Sequence, residues 1–292
     1  MSTRTPAASV VVPVLDRPAL LRRALASVAA QTMEDFECIV VDDGSTEPLE
    51  PVVRELDRRF VYVRRDENGG PAAARLAGYA HVRGRAVAKL DSDDELLPHA
   101  LERAVVLLEQ HPDVGAAIGL AELNGRLPLR VLGGLHVVDP EEYVRRSPPP
   151  FDVCEVFRRN VVEEWLEELP PFCKDELPFK LLLGLRHRVL YVDEQWDVHH
   201  TDAPDRLTTN YDDPRRADDA RLFVSYFRPL LGVRPCAPLD QYLTHRRSYL
   251  RRRGHLEEAR LLGNWLDERG VGLLAQARIV LRTRRDRRAY RF

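Results

Sequence analysis

The run Ser9-Val10-Val11-Val12-Pro13 is short, β-branched and without alternation. A strand with one wet face alternates apolar and polar side chains; a continuous apolar run belongs to a sheet buried on both faces. Phe36 to Val41, Phe60 to Val63, Ala86 to Leu90 and Val114 to Leu120 supply further strands. Helix-like stretches separate them. The first follows Asp16-Arg17-Pro18, with Leu21, Leu25 and Val28 on one face; others run around Leu49 to Arg59, from Pro71 to about Val82, and from Pro98 to about Gln110. Asp16 reads as the cap of the first, with Pro18 in its opening turn. Strands alternating with helices specify an α/β fold with a mostly parallel central sheet flanked by helices.

Ligands of such sheets bind in the crevice at the carboxyl ends of the strands. The polar clusters of this half all fall there: Val14 to Arg17, Asp42 to Ser45, Asn68 to Arg75 and Asp91 to Asp94. In Asp91-Ser92-Asp93-Asp94, three carboxylates in four residues cannot all ionise comfortably without a positive charge between them. Mg²⁺ and Mn²⁺ prefer carboxylate oxygens and often bridge to phosphates, so the cluster points to a diphosphate-bearing substrate. The plainer alternative is an acidic cap for the helix near Pro98, for which one Asp is enough. Asp42-Asp43-Gly44-Ser45 taken alone is equally an ordinary turn.

A net charge of −2 gives no field that would gather nucleic acid, and none is expected as a partner. Lysine occurs only at Lys89, Lys174 and Lys180. Cys38, Cys154, Cys173 and Cys236 lie far apart with no zinc spacing, and read as reduced, mostly buried thiols. The opening MSTRTPAAS has no apolar core of a signal peptide, and no apolar run approaches the length of a membrane span. The expectation is a cytoplasmic protein.

Past Leu120 the alternation weakens. Gly133-Gly134 and Ser147-Pro148-Pro149-Pro150 mark loops; Val161 to Leu169 and Lys174 to Leu185 read as helices and Val189 to Val192 as a strand. Leu239 to Arg253 and Leu256 to Glu268 form a helical hairpin broken at Gly254, a candidate dimer surface, with a third helix from about Gly272. The tail from Arg282 carries six Arg against one Asp. It reads first as a solvated charge run, with peripheral contact to an anionic membrane as the alternative. The division expected is 1–120 for nucleotide binding, 121–230 for the acceptor side, and 231–292 for the C-terminal helical extension.

The strings SVVVPVLDRPALLRRALASVAAQT, FECIVVDDGS, NGGPAAARLAG and AKLDSDDELLP, in this order, resemble the nucleotide-sugar-binding half of the family 2 glycosyltransferases, which have the Rossmann-like GT-A fold. The resemblance covers residues 8–120 and extends loosely to 172–210. It implies an inverting transferase that takes a nucleotide-diphosphate sugar, UDP-sugar first, and needs Mn²⁺ or Mg²⁺.

The resemblance also implies roles. Pro13, Val14 and Asp16 lie against the nucleoside; Asp42 and Asp43 receive base and ribose, with Asp43 on the base. Arg75 faces base and phosphates. Asp91-Ser92-Asp93-Asp94 matches the DxD metal motif, with Asp93 and Asp94 nearest the cation, Asp91 nearer the ribose, and Ser92 among the nucleotide-binding residues. Asp175 is the candidate general base and Glu176 the runner-up, although Lys174 stands where the family has an acid. His200, with His199 beside it, falls where members place a His next to the diphosphate or metal; a lone His is otherwise often structural. Trp165 and Trp196 either stack a sugar or belong to the core. The acceptor expected is a small molecule, natural product, peptide or glycan bearing a hydroxyl. Two other classes stay open: a nucleotidyltransferase of similar fold, although Val14-Leu15-Asp16-Arg17 lacks the glycine such a loop needs, and a non-catalytic sugar-nucleotide-binding protein.

Overall fold

The computed structural model describes residues 5–123, 134–145, 153–170, 177–200, 215–232, 236–272, 275, 276 and 279. In chain order the elements are β1 (Ala8–Val14), α1 (Pro18–Ala29), β2 (Phe36–Asp42), α2 (Glu50–Arg54), β3 (Phe60–Arg64), α3 (Pro71–Tyr79), β4 (Ala86–Lys89), β5 (Glu95–Leu96), α4 (Ala100–Gln110), β6 (Val114–Leu123), β7 (Leu135–Val138), α5 (Pro140–Arg145), β8 (Val153–Arg158), α6 (Arg159–Glu168), α7 (Leu177–Arg186), β9 (Arg188–His199), α8 (Arg215–Leu231), α9 (Ala237–Arg252) and α10 (Leu256–Glu268).

The strands form one sheet in the order β3-β2-β1-β4-β8-β6-β9-β5, with β7 paired to β9. The expected parallel half is β3-β2-β1-β4. Beyond it β8 enters antiparallel between β4 and β6, so the full sheet is mixed. Every residue of β1 and β2 is buried, as unalternating runs require.

Pro13 lies inside β1 rather than in the loop after it. Val14 accepts from Asp43 of the β2 side, and Val11 accepts from Leu90 after β4. Alternation along the strand therefore turns the N–H that Pro13 lacks toward β4, past the last β1–β4 rung at Val11–Lys89, where no ladder bond is forfeited. Gly78 lets α3 sit close on the sheet: a Cβ there would lie 2.4 Å from Val11 Cγ1.

Several elements differ from the sequence reading. The helix expected over Leu49 to Arg59 is the single turn and a half of α2. The strand expected over Val189 to Val192 runs on to His199, through Asp193, Glu194 and Asp197. Trp165 and Trp196 are core side chains, both buried. Cys38, Cys154 and Cys236 are buried free thiols, with burial pushing the Cys38 thiol up; Cys173 lies outside the described residues.

Two compact units are formed, Met1–Asp139 with Pro149–Asp212, and Pro140–Pro148 with Asp213–Phe292. The first contains the sheet. Within the second, α9 and α10 are the expected hairpin, turning at Gly254 with φ +84°. Phe223, Phe227 and Trp265 are fully buried there, and Trp265 Nε1 donates to Gly232 O at 3.0 Å. Past Gly272, where a third helix was expected, only isolated positions are described. No helix among the described residues is long and apolar enough to cross a membrane.

Candidate active site at the sheet rim

The loops after β1, β2 and β4 meet at one edge of the sheet. Asp16 does not cap α1: the N-cap position is Arg17, with no side-chain cap. Asp16 instead adopts φ +53°, donates its N–H to Ser45 Oγ at 2.9 Å and accepts from Thr46 N at 2.7 Å. An Asp tolerates this left-handed conformation better than most residues. Its two bonds fasten the first loop to the second.

Asp42 and Asp43 are adjacent but differently placed. Asp42 is 0% exposed; its oxygens accept from Ser45 N at 2.8 Å, Leu49 N at 3.1 Å, Tyr62 Oη at 2.5 Å and Arg64 Nη1 at 2.8 Å. Burial pulls its pKa upward, but the hydrogen bonds from Tyr62, Ser45 and Leu49 outweigh it and hold the carboxyl below its ordinary value. With four protein donors on two oxygens, Asp42 is the frame of the loop. Asp43 faces the next crevice, where it accepts from Arg65, Gly69 N at 3.1 Å and Gly70 N at 2.8 Å.

Arg75 projects from α3 and is nearly fully buried; it donates to Asp91. Asp91-Ser92-Asp93-Asp94 makes a tight turn closed by Asp94 N to Asp91 O at 3.0 Å. The helix near Pro98 starts at Ala100 with His99 as its N-cap residue, so these acids do not cap it. One oxygen from each of Asp91, Asp93 and Asp94 lies within 4.8 Å of the other two, which suits hard-cation coordination. Ser92, within the same turn, is buried. Two arginines steady the turn, one at the N-cap of α1 and one within it: Arg17 Nη1 donates to Asp93 Oδ2 at 3.4 Å and Arg23 Nη2 to Asp93 O at 2.6 Å.

The end of β9 closes the group. The backbone N–H of His200 donates to Asp94 Oδ1 at 2.9 Å, and its ring Nε2 is held on Glu95 Oε1 at 2.7 Å. The imidazole nearest the triad is that of His199, whose Nε2 lies 3.7 Å from Asp94 Oδ2 and 3.2 Å from Asp197 Oδ2. Of the two histidines expected here, His200 turns its ring to Glu95 and His199 turns its ring to Asp94. Burial raises Asp94 to about 7; nearby His199 opposes the shift, and Asp91 and Asp93 add to it. Burial likewise raises Asp197, against the opposing bond to His199. Two buried acids with raised pKa beside two more acids make a locus where a divalent cation relieves repulsion.

Of the sequence candidates, Asp16, Asp43, Arg75, Asp91, Ser92, Asp93 and Asp94 are brought to this rim, above Pro13 and Val14 at the end of β1. Asp175 and Glu176 lie outside the described residues. Arg17, Arg23 and Arg65 were not singled out for the parts they take. Nothing local marks them: each owes its place to a partner far along the chain.

Residues 9–163 match the family model described as Glycosyl transferase family 2. The succinoglycan biosynthesis protein ExoW of Rhizobium meliloti (strain 1021) is 44% identical over 102 residues, 33% of this chain and 32% of that protein. An uncharacterized glycosyltransferase of Rickettsia bellii (strain RML369-C) is 37% identical over 105 residues, 35% of this chain and 15% of that protein. The matched stretch thus spans a third or less of these relatives' length. Among solved structures, S. aureus TarS 1-349 in complex with UDP-GlcNAc superposes with a TM-score of 0.62 at 20% identity, covering 83% of this chain and 72% of that one. The same protein in complex with UDP gives 0.54 at 17% identity, covering 90% of each chain. At these identities the likeness establishes the fold, which is the GT-A arrangement.

Proposed function

Because the chain belongs to glycosyl transferase family 2, we propose that its rim binds a nucleotide-diphosphate sugar together with Mg²⁺ or Mn²⁺ and transfers the sugar with inversion. The observation that carries this reading is the convergence of three aspartate oxygens within 4.8 Å on the same edge as Asp43 and Arg75. The TarS structures were solved with UDP-GlcNAc and with UDP, which supports a UDP-sugar as the first donor to try.

In this reading the nucleoside lies along Pro13 to Asp16. Asp43 accepts from the base, displacing Arg65 or sharing the carboxylate with it, while Asp42 keeps the loop rigid. Arg75 and Asp91 stand toward the ribose and phosphates, with Ser92 supporting the turn. Asp93 and Asp94 hold the cation, His199 stands beside it, and the His200 backbone fixes Asp94. The cation supplies Lewis-acid neutralisation of the departing diphosphate. Asp175, with Glu176 as second choice, takes the proton of the acceptor hydroxyl as its oxygen attacks the anomeric carbon opposite the diphosphate. The transition state is oxocarbenium-like. Two relatives are named for succinoglycan and O-antigen biosynthesis, which supports a glycan acceptor over a small metabolite or peptide.

The test is a thermal-shift screen of UDP, GDP and dTDP, each with and without Mn²⁺. A ligand that binds only the folded state raises its stability by mass action. The expected result is stabilisation by one nucleotide, complete only with Mn²⁺ and abolished in Asp93→Asn/Asp94→Asn. Stabilisation that survives in that double variant would overturn the cation assignment.

A further inference from the structure

Beneath the rim the sheet buries a second charged group. Lys89 follows Ala88, which pairs with Val156 across the β4–β8 ladder, so Lys89 and Glu155 occupy the next rung. The Glu155 side chain is 3% exposed, in a strand flanked on both sides by others. One oxygen lies 3.1 Å from Lys89 Nζ; the other lies 3.4 Å from Lys180 Nζ. Arg75 lines the same cavity, and Trp165 and Phe179 close its apolar side with ring centroids 5.2 Å apart.

The placement of the two lysines matters more than their charge. Lys89 is the last residue of β4, next but one to Asp91. Lys180 stands in the opening turn of α7, a few residues after Asp175 and Glu176. Glu155 therefore ties the strand that carries the acidic turn to the helix that follows the candidate base. A buried ion group costs desolvation that an apolar set of equal volume avoids, so fold stability alone does not call for it. What it adds is position, since a buried carboxylate between two ammonium groups keeps both within ion-pair distance of one point.

We propose that Glu155 is a positioning residue: by bridging Lys89 and Lys180 it sets α7, the helix that follows the candidate base in the sequence, against the strand that leads into the donor-side aspartates. This rests on the transferase reading above. Misplacing a reacting group by about 1 Å costs on the order of 10²-fold in rate, so a bridge that acts on geometry shows itself in turnover and not in donor binding.

Glu155→Gln keeps the shape and weakens the bridge at both ends, and Lys180→Met cuts it only at α7. Each is measured in the full chain by amide hydrogen exchange, by UDP binding with Mn²⁺, and by release of UDP from UDP-N-acetylglucosamine. The expected result is roughly tenfold faster exchange confined to α7, with β1 and β2 unchanged. UDP binding stays within about threefold and turnover falls ~10–100-fold. The double variant is no worse than the poorer single one, as two ends of one bridge require. Unchanged exchange in α7 overturns the proposal whether or not the sugar donor is the right one. If Glu155→Gln does not fold, Lys180→Met carries the same test alone. Failure of the wild-type protein to bind UDP, GDP or dTDP with Mn²⁺ overturns the transferase reading instead and leaves the exchange result standing.

Discussion

Asp94 accepts the backbone N–H of His200 at 2.9 Å, joining the turn after β4 to the end of β9 across 106 residues of chain. The bond explains how an acidic turn comes to be fixed. Asp94 is 6% exposed and cannot swing into solvent, so its charge is answered within the protein or by a cation.

The first prediction follows from that burial. Asp94 has its pKa raised to about 7, so between about pH 4 and 7 the folded protein holds a proton that the unfolded chain releases. This contribution to stability is fully present below the unfolded pKa and is lost as pH rises through the folded one. In metal-free buffer Asp94→Asn should therefore melt roughly 2–6 °C above wild type at pH 8, with the gap closing toward pH 4. Mn²⁺ at pH 8 should raise the wild type and leave the variant unmoved. A gap of the same size at both pH values would refute the link to Asp94 ionisation.

The two histidines make a paired prediction. His199→Gln removes the ring beside Asp94, whereas His200→Gln removes a ring held on Glu95 and keeps the backbone N–H. Loss of a group that orients a metal ligand typically weakens metal binding ~10–100-fold. His199→Gln should do so in a Mn²⁺ titration, and His200→Gln should stay within about threefold of wild type. The opposite ranking would return the role to His200.

Asp42 should matter to the fold before it matters to chemistry. Asp42→Asn exchanges one of the two oxygens that accept from Tyr62, Ser45, Leu49 and Arg64 for an NH2 and removes the charge, leaving buried donors without an acceptor at a cost of about 1–3 kcal/mol. Its pKa is depressed, so the stability it supplies is present above the unfolded value and is lost as pH falls through the folded one. Urea denaturation should show the variant weakened at pH 7 and nearer to wild type at pH 3. Equal stability at pH 7 would mean that the loop does not depend on this carboxylate.

What could be read in advance divides by range. Val10 to Val12 and Cys38 to Val41 announce a doubly covered sheet because each residue reports its own burial. The triad was legible because its three acids are neighbours in the chain. β8 was not, since its Glu155 enters the interior opposite Lys89 and Lys180, brought from elsewhere. The different placement of the His199 and His200 rings has the same origin. A strand turns adjacent side chains to opposite faces, and the sequence ended the strand at Val192, short of the residues where that alternation decides.

The base assignment yields the last prediction. Asp175 and Glu176 precede α7, whose Lys180 reaches the sheet through Glu155. Proton removal by a positioned carboxylate contributes about 10²–10⁴ in rate, and a group that acts on the acceptor adds nothing to donor affinity. Asp175→Asn should therefore lower turnover of the accepted nucleotide-sugar by that order while nucleotide binding with Mn²⁺ stays near wild type. Glu176→Gln should lose less than about tenfold, as a neighbour that tunes the base rather than replaces it. Steady-state turnover and nucleotide titration on the two variants decide between them. A large loss in Glu176→Gln with Asp175→Asn unaffected would exchange the two roles, and small losses in both would place the base outside this segment.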